Sequence, residues 1–156
     1  MKSFIKIFDA KYIRLHQNLY ELINKTPADK LFYTPLEINS IFSVGEYVLR
    51  SAGKVEQTFG GITTRLWDDP FEWTLPEELS TNEKILEYLN EVEATRKKGF
   101  EYFNSDEDLK KELPAPEEFK TLFELLLETL DTANNFQGRA FIIFQLISSK
   151  IKKQTD

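Results

Sequence analysis

Apolar residues Ile5, Phe8, Tyr12, Leu15, Leu19 and Leu22 recur at alternating intervals of three and four, which places them on one face of an amphipathic helix. This first helix is expected to end before Pro27. After the Thr34-Pro35 turn, Asn39 or Ser40 is expected to cap a second helix carrying Ile41, Val44, Val48, Val55 and Phe59; Ser43 with Glu46 also fits a capping box, and Gly60-Gly61 marks the end. Residues 62–79 lose the helical period and hold Asp68-Asp69-Pro70, a second proline and both tryptophans, so they read as a long ordered crossover. Ser80, three residues before Glu83, opens a third helix with Ile85, Leu89, Val92, Arg96, Gly99 and Phe103 on its face; Asn104-Ser105-Asp106 stops it. Pro116 suits the first position of a fourth helix carrying Phe119, Leu122, Leu126, Thr129, Ala133, Phe136, Ala140, Ile143 and Ile147 and running to about Lys150. Four amphipathic helices with no strand-period segment predict an all-α four-helix bundle with a long crossover between helices two and three, one domain over residues 1–156.

Composition narrows the chemistry. With 26 acidic against 20 basic side chains, the net charge of −6 repels phosphate backbones and anionic membrane surfaces, so no nucleic acid and no membrane is expected as partner. The first ten residues lack a secretory h-region and no apolar run reaches transmembrane length, which makes a cytoplasmic protein the expectation. Absence of cysteine removes disulfides, thiol nucleophiles and thiolate metal sites together. A single histidine, His16, cannot supply the imidazole pairs from which helical bundles build zinc or di-iron centres. Phosphate-loop, dinucleotide and hydrolase-elbow motifs are missing as well. No cofactor and no metal are expected.

Two segments carry a family resemblance. Asn39-Ser40-Ile41-Phe42-Ser43-Val44-Gly45-Glu46-Tyr47-Val48 resembles a Trp-Ser-Ile helix start that leads to a His-Leu pair, with Tyr47 where the histidine would be. Thr132-Ala133-Asn134-Asn135-Phe136-Gln137-Gly138-Arg139 resembles a His-x-x-x-His-Arg-Gly-Gln segment, with Thr132 and Phe136 in the histidine positions and Asn135 at the second on a shift of one residue. Both motifs belong to the DinB/YfiT-like four-helix bundles, and with them the chain resembles a divergent member without the metal-binding histidines. The resemblance implies the bundle fold and a homodimer. The family's metal-dependent chemistry, thiol transfer in some members included, lacks its ligands on either register.

The candidate site follows from these positions. Tyr47, Thr132, Phe136 and Asn135 would line a former metal cavity that now takes a small organic ligand; alternatively Phe136 fills the vacated space as one more core aromatic. His16, Glu46 and Arg139 are candidate polar groups of the same pocket, with Arg139 otherwise expected in a salt bridge to Glu46, Glu128 or Asp131. Those three carboxylates would be the raw material of any residual metal site. Gly138 inside a helix costs on the order of 1 kcal/mol against alanine and so suggests close approach of another backbone. Trp67, Phe71 and Trp73 concentrate aromatic area in the crossover and are expected at an interface, as a lid, or as a cluster covering the bundle end. The expected function is metal-independent binding of a small ligand or of a protein; the alternative is a transferase- or hydrolase-type enzyme acting on a small organic substrate.

Overall fold

The computed structural model describes residues 1–39, 42–70 and 78–155, the last five of these by backbone alone. Four long helices dominate it: α1 Ser3–Lys25, α2 Val44–Thr64, α3 Asn82–Phe100 and α4 Leu122–Thr155. The most extensive packing joins α2 to α4, and α1 lies against all three others. The heptad-like stripe of α1 is buried as its spacing predicts, from Ile5 through Tyr12 to Leu22. It meets Val48, Ala52 and Phe59 of α2, Ile85 and Leu89 of α3, and Leu126, Ala133 and Ile143 of α4 in one core.

Buried hydroxyls fasten the helices where small residues let the backbones approach. Ser51 Oγ donates to the Ala133 carbonyl at 2.8 Å, the Thr58 and Thr129 hydroxyls meet at 2.6 Å, and Tyr12 OH donates to the Leu126 carbonyl at 2.8 Å. Each bond spares a buried polar group the cost of desolvation without a partner.

Several boundaries differ from the sequence expectation, each for a local reason. Asn39 caps no helix N-terminus: it ends the short 3-10 turn Leu36–Ile38 in a left-handed conformation at φ 46°. Ser40 and Ile41 lie outside the described residues. The N-cap of α2 is Ser43, whose Oγ accepts from the Glu46 amide at 3.3 Å. Gly60-Gly61 does not end α2, which runs one turn further to Thr64 before Arg65 takes φ 62° and its amide bonds the Gly61 carbonyl. Gly61 instead makes room for a side chain, because a Cβ there would collide with the Trp67 ring. Helix α3 is capped by Thr81 rather than Ser80, and Phe103 lies beyond its end yet stays buried.

A short antiparallel ribbon, β1 Glu112–Pro114 with β2 Phe119–Thr121, stands where the fourth helix was expected to begin. Phe119 is therefore an exposed strand residue. Helix α4 starts at a capping box that the sequence reading passed over: Thr121 Oγ1 accepts from the Glu124 amide at 3.1 Å while Glu124 Oε2 accepts from the Thr121 amide at 3.2 Å. Its far end passes Lys150 by five residues.

Gly138 corrects another expectation, since a Cβ added there meets nothing within 4 Å. No backbone crosses at this point. The helix thus carries the glycine penalty with no packing return, and Gly138→Ala should raise stability by about 1 kcal/mol. Urea denaturation checks this; a lower midpoint for the variant would contradict the open surroundings.

The outer face of α1 and α4 exposes Phe4, Ile7 and Leu127, with the Phe4 and Phe123 rings 6.1 Å apart.

Candidate ligand-binding site

The positions that the sequence singled out on α2 and α4 come together, but as packed rings. Tyr47 is buried; its ring centroid lies 5.3 Å from that of Phe42, edge on, and 6.2 Å from that of Phe136. Thr132 and Phe136 are half-buried, and Asn135 and Arg139 are exposed. Arg139 Nε donates to Asn135 Oδ1 one turn back at 3.1 Å, in place of the expected salt bridge. Of the three carboxylates, Glu128 pairs with Lys120 at 2.7 Å, Asp131 is exposed and Glu46 sits half-buried in the first turn of α2. Among the described residues no three His, Cys, Asp or Glu side chains gather as a metal-ligand set. A phenol, an alcohol and a phenyl ring at Tyr47, Thr132 and Phe136 do not fit the metal that the family resemblance implies.

His16 lies apart from these residues. It is half-buried on α1, 5.9 Å ring to ring from Tyr20, beside a cavity of about 20 Å³ walled by Tyr12, Leu89 and Glu93 among others. That volume holds about one water molecule and no organic ligand. Burial pushes the His16 pKa below its ordinary value, against the attraction of Glu93.

Of the crossover aromatics, Trp67 packs against the core over Gly61, and its carbonyl accepts from Gln57 Nε2 at 3.2 Å. It covers the last turn of α2. Phe71 and Trp73 lie outside the described residues.

A cleft of about 430 Å³ opens at the bundle end where the C-terminus of α2, the segment after α3, the β-ribbon and the start of α4 meet. Ile62, Phe103, Leu113 and Leu122 form a buried apolar floor. Local folding explains how they arrive there. Asp106, in the 3-10 turn Asp106–Lys110, accepts from the Phe4 and Ile5 amides at 3.1 Å each and so caps α1, whose own N-cap Lys2 offers no side-chain bond. The Ala115 amide bonds the Glu118 carbonyl at 2.8 Å and closes the ribbon, which turns Leu113 inward.

The rim of this cleft carries both signs of charge, and Arg65, Lys111 and Asp108 already hold hydrogen-bond partners. Arg65 Nη1 donates to the Ile62 carbonyl at 2.5 Å, tied to the α2 terminus. Lys111 Nζ pairs with Asp108 Oδ1 at 2.6 Å. Asp108 also accepts from the Asn104 and Ser105 amides, and with Lys111 contributing most these bonds hold its carboxyl down at about 2. Glu112 is exposed on the same rim and makes no ion pair among the described residues. Tyr102, 69% exposed, lines the same cleft. The cleft therefore offers an apolar floor, an aromatic ring and one uncommitted carboxylate.

Sequence reasoning named none of these rim residues. Arg65 stands far along the chain from Tyr102 and Glu112, and all three lie outside every apolar stripe, so no local pattern joins them. Compared with family models, with curated proteins and with solved structures, the chain finds no match in any of the three.

Proposed function

We propose that this protein is a metal-independent binding module of the DinB/YfiT-like kind that takes a small amphipathic amine in its bundle-end cleft. The family part is supported by helix order and by the convergence of Tyr47 and Phe136, the positions where the resemblance puts ligands, across α2 and α4. Their aromatic character supports loss of the metal function and moves the ligand site elsewhere. One observation carries the ligand class: a cleft of about 430 Å³ with a buried apolar floor, within the usual size of small-molecule sites, whose rim leaves Glu112 uncommitted while Arg65 and Lys111 are engaged. An apolar body desolvates against Leu113 and Leu122. An ammonium group gains Glu112 and the Tyr102 ring.

Titration calorimetry with 2-phenylethylamine and with 3-phenylpropionate tests this reading. The amine is expected to bind and the carboxylate to bind at least severalfold more weakly. Thr63→Trp fills the cleft from an exposed wall position and should abolish binding without touching the core. Glu112→Gln should weaken the amine by less than about tenfold, because an exposed ion pair is worth roughly 1 kcal/mol or less. Equal binding of the two compounds, or undiminished binding by Thr63→Trp, would refute the assignment.

A further inference from the structure

A second cleft, about 280 Å³, lies between α1 and α4, lined from α1 by Asn18, Glu21 and Lys25 and from α4 by Gln137 and Phe141. Its apolar part is completed by Leu22, which is buried, and by Phe144, which packs half-buried against the core. The two charges of the lining cancel, because Lys25 pairs with Glu21 one turn back. A charged ligand of either sign would have to compete with that pair, and the net charge of −6 further disfavours an anion. The polar groups that remain are two primary amides. Asn18 and Gln137 are half-buried, and among the described residues neither side chain makes a hydrogen bond. Each can donate and accept at the same time. Phe141, 43% exposed, adds aromatic area beside them.

We propose that the α1/α4 cleft binds a free nucleobase, or the base of a neutral nucleoside, through the amides of Asn18 and Gln137. Charge neutrality of the lining selects an uncharged compound. Among uncharged compounds, a side-chain amide is matched by an edge that carries an acceptor and a donor next to each other, as N7 and the 6-amino group of adenine do. Aromatic side chains hold bases through their flat surfaces and tolerate any base identity, which suits Phe141 and Phe144 to the same ligand. The volume lies just under the usual span of drug-sized sites, about 300–1,000 Å³, and so suits one flat ring system rather than a longer chain. The bundle-end cleft differs on each count, since its lining holds no amide side chain and keeps a carboxylate for an amine.

Nitrogen–proton correlation spectra of the full chain, titrated with adenine, purine, adenosine and adenosine 5′-monophosphate, test the assignment. Adenine is expected to shift the side-chain amide signals of Asn18 and Gln137 in a saturable way. Purine, which lacks the 6-amino donor, should bind severalfold more weakly, and the monophosphate severalfold more weakly than adenosine. Asn18→Leu and Gln137→Leu should each weaken adenine severalfold, with the fold checked by circular dichroism; Thr63→Trp, which fills the other cleft, should leave adenine binding intact. Should either leucine variant lose its fold, the shift map of the unaltered chain decides. Absence of saturable shifts with millimolar adenine, or shifts centred away from Asn18 and Gln137, overturns the proposal. Equal binding of adenine and purine overturns recognition of the base edge, and a monophosphate that binds as tightly as adenosine overturns selection for an uncharged ligand.

Discussion

Arg96→Ala is expected to destabilise the protein by about 3–5 kcal/mol, the cost of breaking a buried ion pair by removing one partner. Arg96 is fully buried, and its Nη2 and Nε both donate to Glu93, at 2.5 and 3.2 Å, while Nη1 reaches Asp9. The guanidinium also lies 5.0 Å from the Phe100 ring centroid. Burial pushes the Arg96 pKa down, but the bonds to Glu93 and Asp9 outweigh it and hold the group charged. Alanine would leave Glu93, itself almost wholly buried, without a partner, together with a void beside Phe100. Urea denaturation followed by circular dichroism measures the loss. Arg96→Met combined with Glu93→Met should recover most of it, since two apolar side chains of similar volume need no charge compensation. If Arg96→Ala costs less than about 1 kcal/mol, the pair behaves as a screened surface contact and its burial has been misjudged.

Phe59→Ala is expected to cost a similar amount, about 3–5 kcal/mol, through lost transfer energy and the cavity left behind. The Phe59 ring is fully buried, with centroids 5.7 Å from both Tyr12 and Phe100. It also lies directly over Gly99, where an added Cβ would come within 2.6 Å of Cδ1. Gly99→Ala alone should therefore destabilise by about 1–3 kcal/mol through overpacking. In the Phe59→Ala background that clash is gone, and the same change should be close to neutral or better, because alanine also relieves the helical glycine. A double-mutant cycle reads the coupling directly. Additive costs would mean that Phe59 and Gly99 do not touch.

These two sites illustrate what was readable in the sequence and what was not. Phe59 stood on the apolar stripe of helix two and Gly99 on that of helix three, so both were assigned to the core side of their helices. That one exists to accommodate the other depends on a contact across 40 positions, for which local pattern holds no signal. Arg96 was likewise placed on an interior face, but only its geometry with Glu93 and Asp9 makes a buried charge tolerable there. Gly138 is the reverse case: a glycine inside a helix suggests a crossing point, and the space around it is open.

The sequence by itself determined the helical class, the order of the four long helices and nearly all of their buried stripes, because a 3.6-residue period fixes a face wherever the helix packs. It also determined the exclusions, since thiolate and clustered-imidazole chemistry require residues that the chain lacks. Only the tertiary structure decided the rest. Asp106 caps a helix whose amides lie 101 and 102 residues away, and Thr121 rather than Pro116 starts α4 because a two-stranded ribbon occupies the residues between. The ring of Phe136 closes the place where the motifs pointed, while Arg65, Tyr102 and Glu112 open a cleft at the bundle end. Caps, contacts and clefts of this kind are made by groups distant along the chain. Their energies depend on separation in space, which a one-dimensional pattern does not encode.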